Sequence, residues 1–144
     1  MFMDMRSSTT IAEKLGEQRY FNFLKDIFHH STTGILETKG EIYQYVGDEI
    51  VISWKMQEGV DKANCLNCFF EIQQILRLKA SYYNENYDGI IPEFKAGLHC
   101  GYVVAGEIGV VKRDIVFSGD VLNTASRIQE YCNKLYKQLL VSES

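Results

Sequence analysis

The chain has 144 residues, 46% hydrophobic and 24% charged, the balance of one soluble domain long enough to bury a real core. Fifteen basic and nineteen acidic residues leave a net charge of −4, which gives no support for the positive footprint of a nucleic-acid binder. No apolar run reaches the ~20 residues of a membrane span, and Met1-Phe2-Met3-Asp4 lacks the basic start of a secretory signal.

Residues 1–5 read as a short strand. "SSTTIAEKLG" then opens a helix, with Thr10 and Glu13 at capping-box spacing and Gly16 ending its first turns. A longer helix from Glu17 carries Tyr20, Phe21, Leu24, Ile27, Phe28, Ile35 and Leu36 mostly at steps of three and four, with Gly40 as its C-cap. Residues 41–46 and 49–54 form a hairpin through Gly47-Asp48.

A second long helix over about 60–80 puts Val60, Ala63, Cys68, Ile72, Ile75 and Leu76 on one stripe. "NENYDGIIPE" is a loop, Phe94–Cys100 a strand, residues 101–109 a glycine-punctuated segment and "RDIVFS" another strand. Gly119-Asp120 leads into a helix running to about Tyr136, and Leu139–Val141 close with a strand. The order predicts one α+β domain, a mixed sheet with helices packed on one face. The ends fall within and just after strands, so the chain reads as a piece truncated at both ends. The four cysteines suggest a reduced compartment, and the one unmatched C-x-x-C pair, Cys65 and Cys68, reads as small core residues.

Three features carry chemistry. Asp4 follows Phe2 with period two, on the face of an otherwise apolar strand, where a carboxylate is costly unless paired or metal-bound. Asp48 sits at the hairpin tip. Alone it reads as ordinary turn chemistry, but two carboxylates at neighbouring strand ends can hold a hard cation. Between Asp4 and the first helix, "RSST" offers backbone N–H groups at a helix N-terminus, an anion site. In "GDVLNTASRIQEYCNKL" the buried stripe is Ala125, Ile128, Cys132 and Leu135. Asn123 and Arg127 share nearly the opposite side, an amide and a planar cation suited to a ribose hydroxyl and a phosphoryl group. Pointing away from their own core, they are placed to complete a site on a second subunit.

"FMDMRSSTTIAEKLG", "GEIYQYVGDEIVISW", "GLHCGYVVAGEIG" and "SGDVLNTASRIQ", in that order, resemble the successive motifs of the class III nucleotide cyclases, the adenylate and guanylate cyclase catalytic domains. The resemblance implies a ferredoxin-like mixed sheet and a homodimer with active sites at its interface. Asp4 and Asp48 of one chain, helped by the Met5 carbonyl, would hold two Mg²⁺ or Mn²⁺. Backbone groups around Ser7, Ser8 and Thr9 would hold the β- and γ-phosphates. From the other chain, Asn123 would orient the ribose and Arg127 would stabilise charge on the α-phosphate. The implied reaction is attack of the 3′-hydroxyl on the α-phosphorus with loss of pyrophosphate.

The positions at which the family reads its purine fall on Gln44 and Val116 and depart from the usual pair. Gln44 can donate and accept, and Val116 does neither, so ATP and GTP both stay open as substrate, with adenylate cyclase the leading expectation. A silent nucleotide-binding or dimerising homologue is the rival, although it need not keep Asp4, Asp48, Asn123 and Arg127. A metal-dependent palm domain is a third reading, and the −4 charge speaks against it. No membrane contact by the domain itself is expected. Its expected place is the cytoplasm, alone or as the cytoplasmic part of a membrane-anchored protein.

Overall fold

The computed structural model describes residues 1–143. Its centre is β1 (Phe2–Met5), in which Met3 and Met5 are fully buried while Phe2 and Asp4 are half-buried on the other face. That alternation is the period of a strand with two unlike faces. β1 lies between two antiparallel neighbours, β3 (Glu49–Ser53) and β4 (Phe94–Leu98). The first pairs Asp4 with Glu49, and the second pairs Asp4 with Lys95. β2 (Glu41–Val46) joins outside β3, and β7 (Leu139–Val141) adds in parallel to β4, giving the order β2-β3-β1-β4-β7. The mixed α+β sheet expected from the sequence is therefore present.

One face is the main core. Met3, Met5, Ile50, Ile52, Phe94 and Ala96 meet Ile11 and Leu15 of α1 (Ser8–Leu15), Phe23, Ile27 and Ile35 of α2 (Glu17–Glu37), and Phe69, Ile72 and Leu76 of α4 (Asn64–Leu78). Each large side chain buried there contributes about 1.5–3 kcal/mol before entropy is charged against it. The opposite face is covered by α6 (Val121–Leu135). It approaches so closely that a Cβ on Gly97 would stand 2.4 Å from the Ala125 carbonyl oxygen and from the Gln129 amide nitrogen. The helices therefore cover both faces, and not one as the element order alone predicts. Gly97 is what permits it, since any side chain there would push α6 off the sheet.

Several local expectations are corrected. α1 starts at Ser8 behind Ser7, which takes a left-handed conformation (φ 59), so Thr10 lies inside the first turn and is not a cap. In α2, Phe21 and Leu36 face solvent. At its end Lys39 (φ 59) takes the left-handed position, while the Gly40 N–H bonds to the Ile35 carbonyl.

The expected 60–80 helix is broken into α3 (Met56–Val60), a turn of 3₁₀-helix at Asp61–Ala63, and α4, because Lys62 and Ala63 both adopt positive φ. Val60 is consequently exposed. A further helix, α5 (Ala80–Asn86), follows. In α6 the buried residues are Ala125, Gln129 and Cys132, with Ile128 half-buried and Leu135 exposed. The apolar spacing missed Gln129 because it is polar. The glycine-punctuated segment contains β5 (Val104–Ile108), which pairs with β6 (Asp114–Ser118) as a separate two-stranded sheet.

Candidate active site

Gly47 (φ 57) makes the tight turn between β2 and β3, and pairing of Val46 with Glu49 leaves Asp48 at its tip. Because β3 is hydrogen-bonded to β1, that tip arrives beside Asp4, within hydrogen-bonding reach. The two carboxylates predicted from sequence are thus brought together. Asp4 is pushed up to about 6, first by burial and then by the charge and hydrogen bond of Asp48, with Glu49 adding to it and Lys95 opposing it. Glu49 is also raised, by burial first and by Asp48 next.

Whether these groups suit a divalent cation follows from that electrostatics. Facing carboxylates repel until a proton or a cation sits between them. Mg²⁺ and Mn²⁺ are hard ions content with one or two protein carboxylates when waters and phosphates complete the shell. Among the described residues no group of three or more His, Cys, Asp or Glu is gathered as a metal site, and Asp4 with Asp48 forms a carboxylate pair. It fits an ion brought in with a nucleotide. Met5 is 2% exposed with its side chain in the core, which leaves its carbonyl as the donor it can offer.

Three groups around Asp4 escaped the sequence reading. Lys95 Nζ lies 3.7 Å from Asp4 Oδ2, and Gln129 Nε2 donates to the same oxygen at 3.4 Å. Together they hold one carboxylate oxygen. Tyr20 stands in the first turn of α2; its hydroxyl is held protonated above the usual phenol range by burial, then by Asp48 and Asp4. Lys95 was findable, since it occupies the same face of β4 as Asp4 does of β1. Gln129 and Tyr20 depend on helix placement that no local spacing reveals.

Ser7, Ser8 and Thr9 come three to five residues after Asp4, at the start of α1. The Ile11 N–H bonds back to the Ser7 carbonyl at 3.0 Å, so the amides before it have no partner inside the helix and point out of its positive end. Asn123 and Arg127 are exposed on α6, one turn apart, as the helical spacing predicts. Gln44 is exposed on β2 opposite Val51, and Val116 is half-buried on β6 opposite Gly106. Their strands are tied through the chain neighbours Tyr43 and Phe117. These rings stack 4.4 Å apart at 9°, and the Phe117 N–H donates to the Tyr43 hydroxyl at 3.0 Å.

The structure thus places a carboxylate pair beside the start of α1, and an exposed amide and guanidinium on α6. The family follows from the comparisons with known proteins. The family described as "Adenylate and Guanylate cyclase catalytic domain" matches residues 1–144, and the chain belongs to that family. Adenylate cyclase 2 of Rhizobium meliloti (strain 1021) is 37% identical over 142 residues, which cover 99% of this chain and 39% of that protein. Receptor-type guanylate cyclase gcy-27 of Caenorhabditis elegans is 29% identical over 96% of the chain and 19% of its own length.

The chain therefore spans well under half of either relative. In fold it matches a bacterial light-regulated adenylyl cyclase at TM-score 0.86 over 98% of the chain and 41% of that one, at 22% identity. The guanylyl cyclase Cya2 matches at 0.80 over 90% and 67%, at 24% identity. Among the described residues no helix is long and apolar enough to cross a membrane.

Proposed function

We propose that this chain is a purine nucleotide cyclase domain that turns ATP into 3′,5′-cyclic AMP and pyrophosphate with two Mg²⁺ or Mn²⁺, as a homodimer with shared sites. The observation that carries the proposal is the convergence of Asp4 and Asp48 on the sheet face that α6 covers. Asp4 and Asp48 would hold the cations, Asp4 with one oxygen already anchored by Lys95 and Gln129; bound there, the cations would lower the pKa of the 3′-hydroxyl and offset charge on the phosphates. The free amides of Ser8 and Thr9, with Ser7 turning the chain, bind the terminal phosphates.

From the second subunit, Asn123 fixes the ribose and Arg127 meets the charge that grows on the α-phosphate as the new 3′-oxygen–phosphorus bond forms and pyrophosphate departs. The hydroxyl proton passes to solvent. Positioning and charge stabilisation are enough for such a reaction. The exposure of Asn123 and Arg127, away from their own sheet, supports their use by a partner chain. So does the β5–β6 hairpin, whose Tyr102, Val104, Ile108, Val110, Val111 and Ile115 present apolar surface that a second copy would cover.

ATP is preferred because the 37%-identical relative is an adenylate cyclase. The exposed Gln44 amide keeps GTP as the second reading. The domain is proposed to act in the cytoplasm, as a single unit over residues 1–144. Purified protein assayed with Mn²⁺ and either ATP or GTP, side by side, tests this. The expected products are cyclic AMP and pyrophosphate, faster than cyclic GMP. Cyclisation of neither nucleotide overturns it.

A further inference from the structure

We propose that Tyr43 is a positioning residue for purine selection, holding the strand that carries Gln44 at a fixed spacing from the strand that carries Val116. The inference rests on the cyclase reading and deepens it. Three observations converge. β2 and β3 pair Ile42 with Ile52 and then Gln44 with Val51, so Tyr43 is an extra residue, a β-bulge. Bulges re-aim side chains and recur beside active sites. This one leaves Tyr43 half-buried, stacked on Phe117 and accepting its N–H.

The second observation is that β6 belongs to a separate two-stranded sheet. Its hairpin is otherwise open, with Val104, Ile108 and Ile115 each more than 60% exposed. A strand so loosely covered needs a fastening if one of its residues is to face a base. The third is position. The fastening joins the residues next to Gln44 and Val116, so a change in it moves both purine-facing positions relative to each other.

Gln44 can both donate and accept, so it rejects neither purine outright, and Val116 offers no hydrogen bond at all. Discrimination then falls on shape and spacing, which tolerate only about 0.5 Å of play. Tyr43 supplies that constraint in two parts, a ring stack and a hydroxyl–amide hydrogen bond.

Tyr43→Phe keeps the stack and removes the bond. With melting temperature unchanged, its KM for the preferred nucleotide should rise roughly 5- to 10-fold, the worth of one hydrogen bond. The ratio of kcat/KM for ATP over GTP should move toward one, while kcat at saturation stays within about twofold of wild type. Tyr45→Phe, on the same strand but stacked on Phe28, should leave all three unchanged. Phe117→Leu, which keeps the bond and loses the stack, should shift KM in the same direction by less, and it serves if Tyr43→Phe does not fold.

Unchanged KM and unchanged ratio in both variants overturn the inference and leave the cyclase reading standing. A proportional fall in kcat with a lowered melting temperature also overturns it, since that marks a general loosening. If the wild-type protein cyclises nothing, the cyclase reading fails by itself. Titration with fluorescent ATP and GTP analogues then decides, and equal affinities of wild type and Tyr43→Phe, or no binding by wild type, overturn the inference too.

Discussion

Gly97 of β4 lies directly beneath the backbone of Gln129 in α6, so near that a methyl group would come within 2.4 Å of the Gln129 nitrogen. Backbone atoms cannot rotate aside as a side chain can. Gly97→Ala should therefore lift α6, at a cost of about 1–3 kcal/mol. The melting temperature should fall by roughly 3–10 °C. Cyclase activity should fall further than stability does, because Asn123 and Arg127 move with the helix.

Asp4 makes the metal-free protein sensitive to pH. Its carboxyl is raised from 3.8 to about 6 on folding, by burial first and Asp48 second. A group raised in this way favours the folded state below the unfolded value and withdraws that support as pH rises through the folded value. In a chelator, the melting temperature should accordingly lose ground between about pH 4 and 7, and Asp4→Asn should remove that loss. Mn²⁺ should raise the wild-type melting temperature at neutral pH and leave Asp4→Asn unmoved. Thermal melts with and without Mn²⁺ read both effects.

Shared sites predict recovery from two dead proteins. Asp48→Ala destroys the carboxylate pair, and Arg127→Ala removes the guanidinium. Mixed and reassociated at random, half the dimers hold one chain of each, and each such dimer has one intact site. About a quarter of wild-type activity should return, by the symmetry of a two-fold dimer. No recovery would mean that each site is built within one chain.

Arg127→Lys keeps the charge but loses the planar fork that grips phosphoryl oxygens. If the guanidinium acts on the transition state, kcat and kcat/KM should drop together by roughly 10²–10³-fold with KM little changed. A rise in KM alone would place Arg127 in ground-state binding.

The strands were legible because alternation survives in short segments. Phe2 and Asp4 sharing one face of β1 read correctly without any tertiary knowledge, and so did the turn at Gly47-Asp48. What could not be read was what each helix rests on. Gln129 is polar yet 3% exposed, since its partner is a carboxylate across the sheet at Asp4. Phe21 is apolar and stands in solvent because α2 presents only part of its stripe to the sheet. The break at Lys62-Ala63 was hidden for a different reason. Neither residue type favours positive φ, so nothing in the local sequence marks the kink. Asp4 and Asp48, 44 positions apart by number, were each ambiguous alone, and only the β1–β3 pairing gives them one address.

The placement of α6 opposite the other helices divides the labour of the sheet. Met3, Ile50, Phe94 and their helix partners hold the domain together, while Asp4, Lys95 and Gln129 form the polar cluster of the proposed site. The two sets alternate residue by residue along the same strands. On the proposed reading a lineage can vary most of its core without touching the site, whereas Asp4 and Gly97 bear on both and are the least free to change.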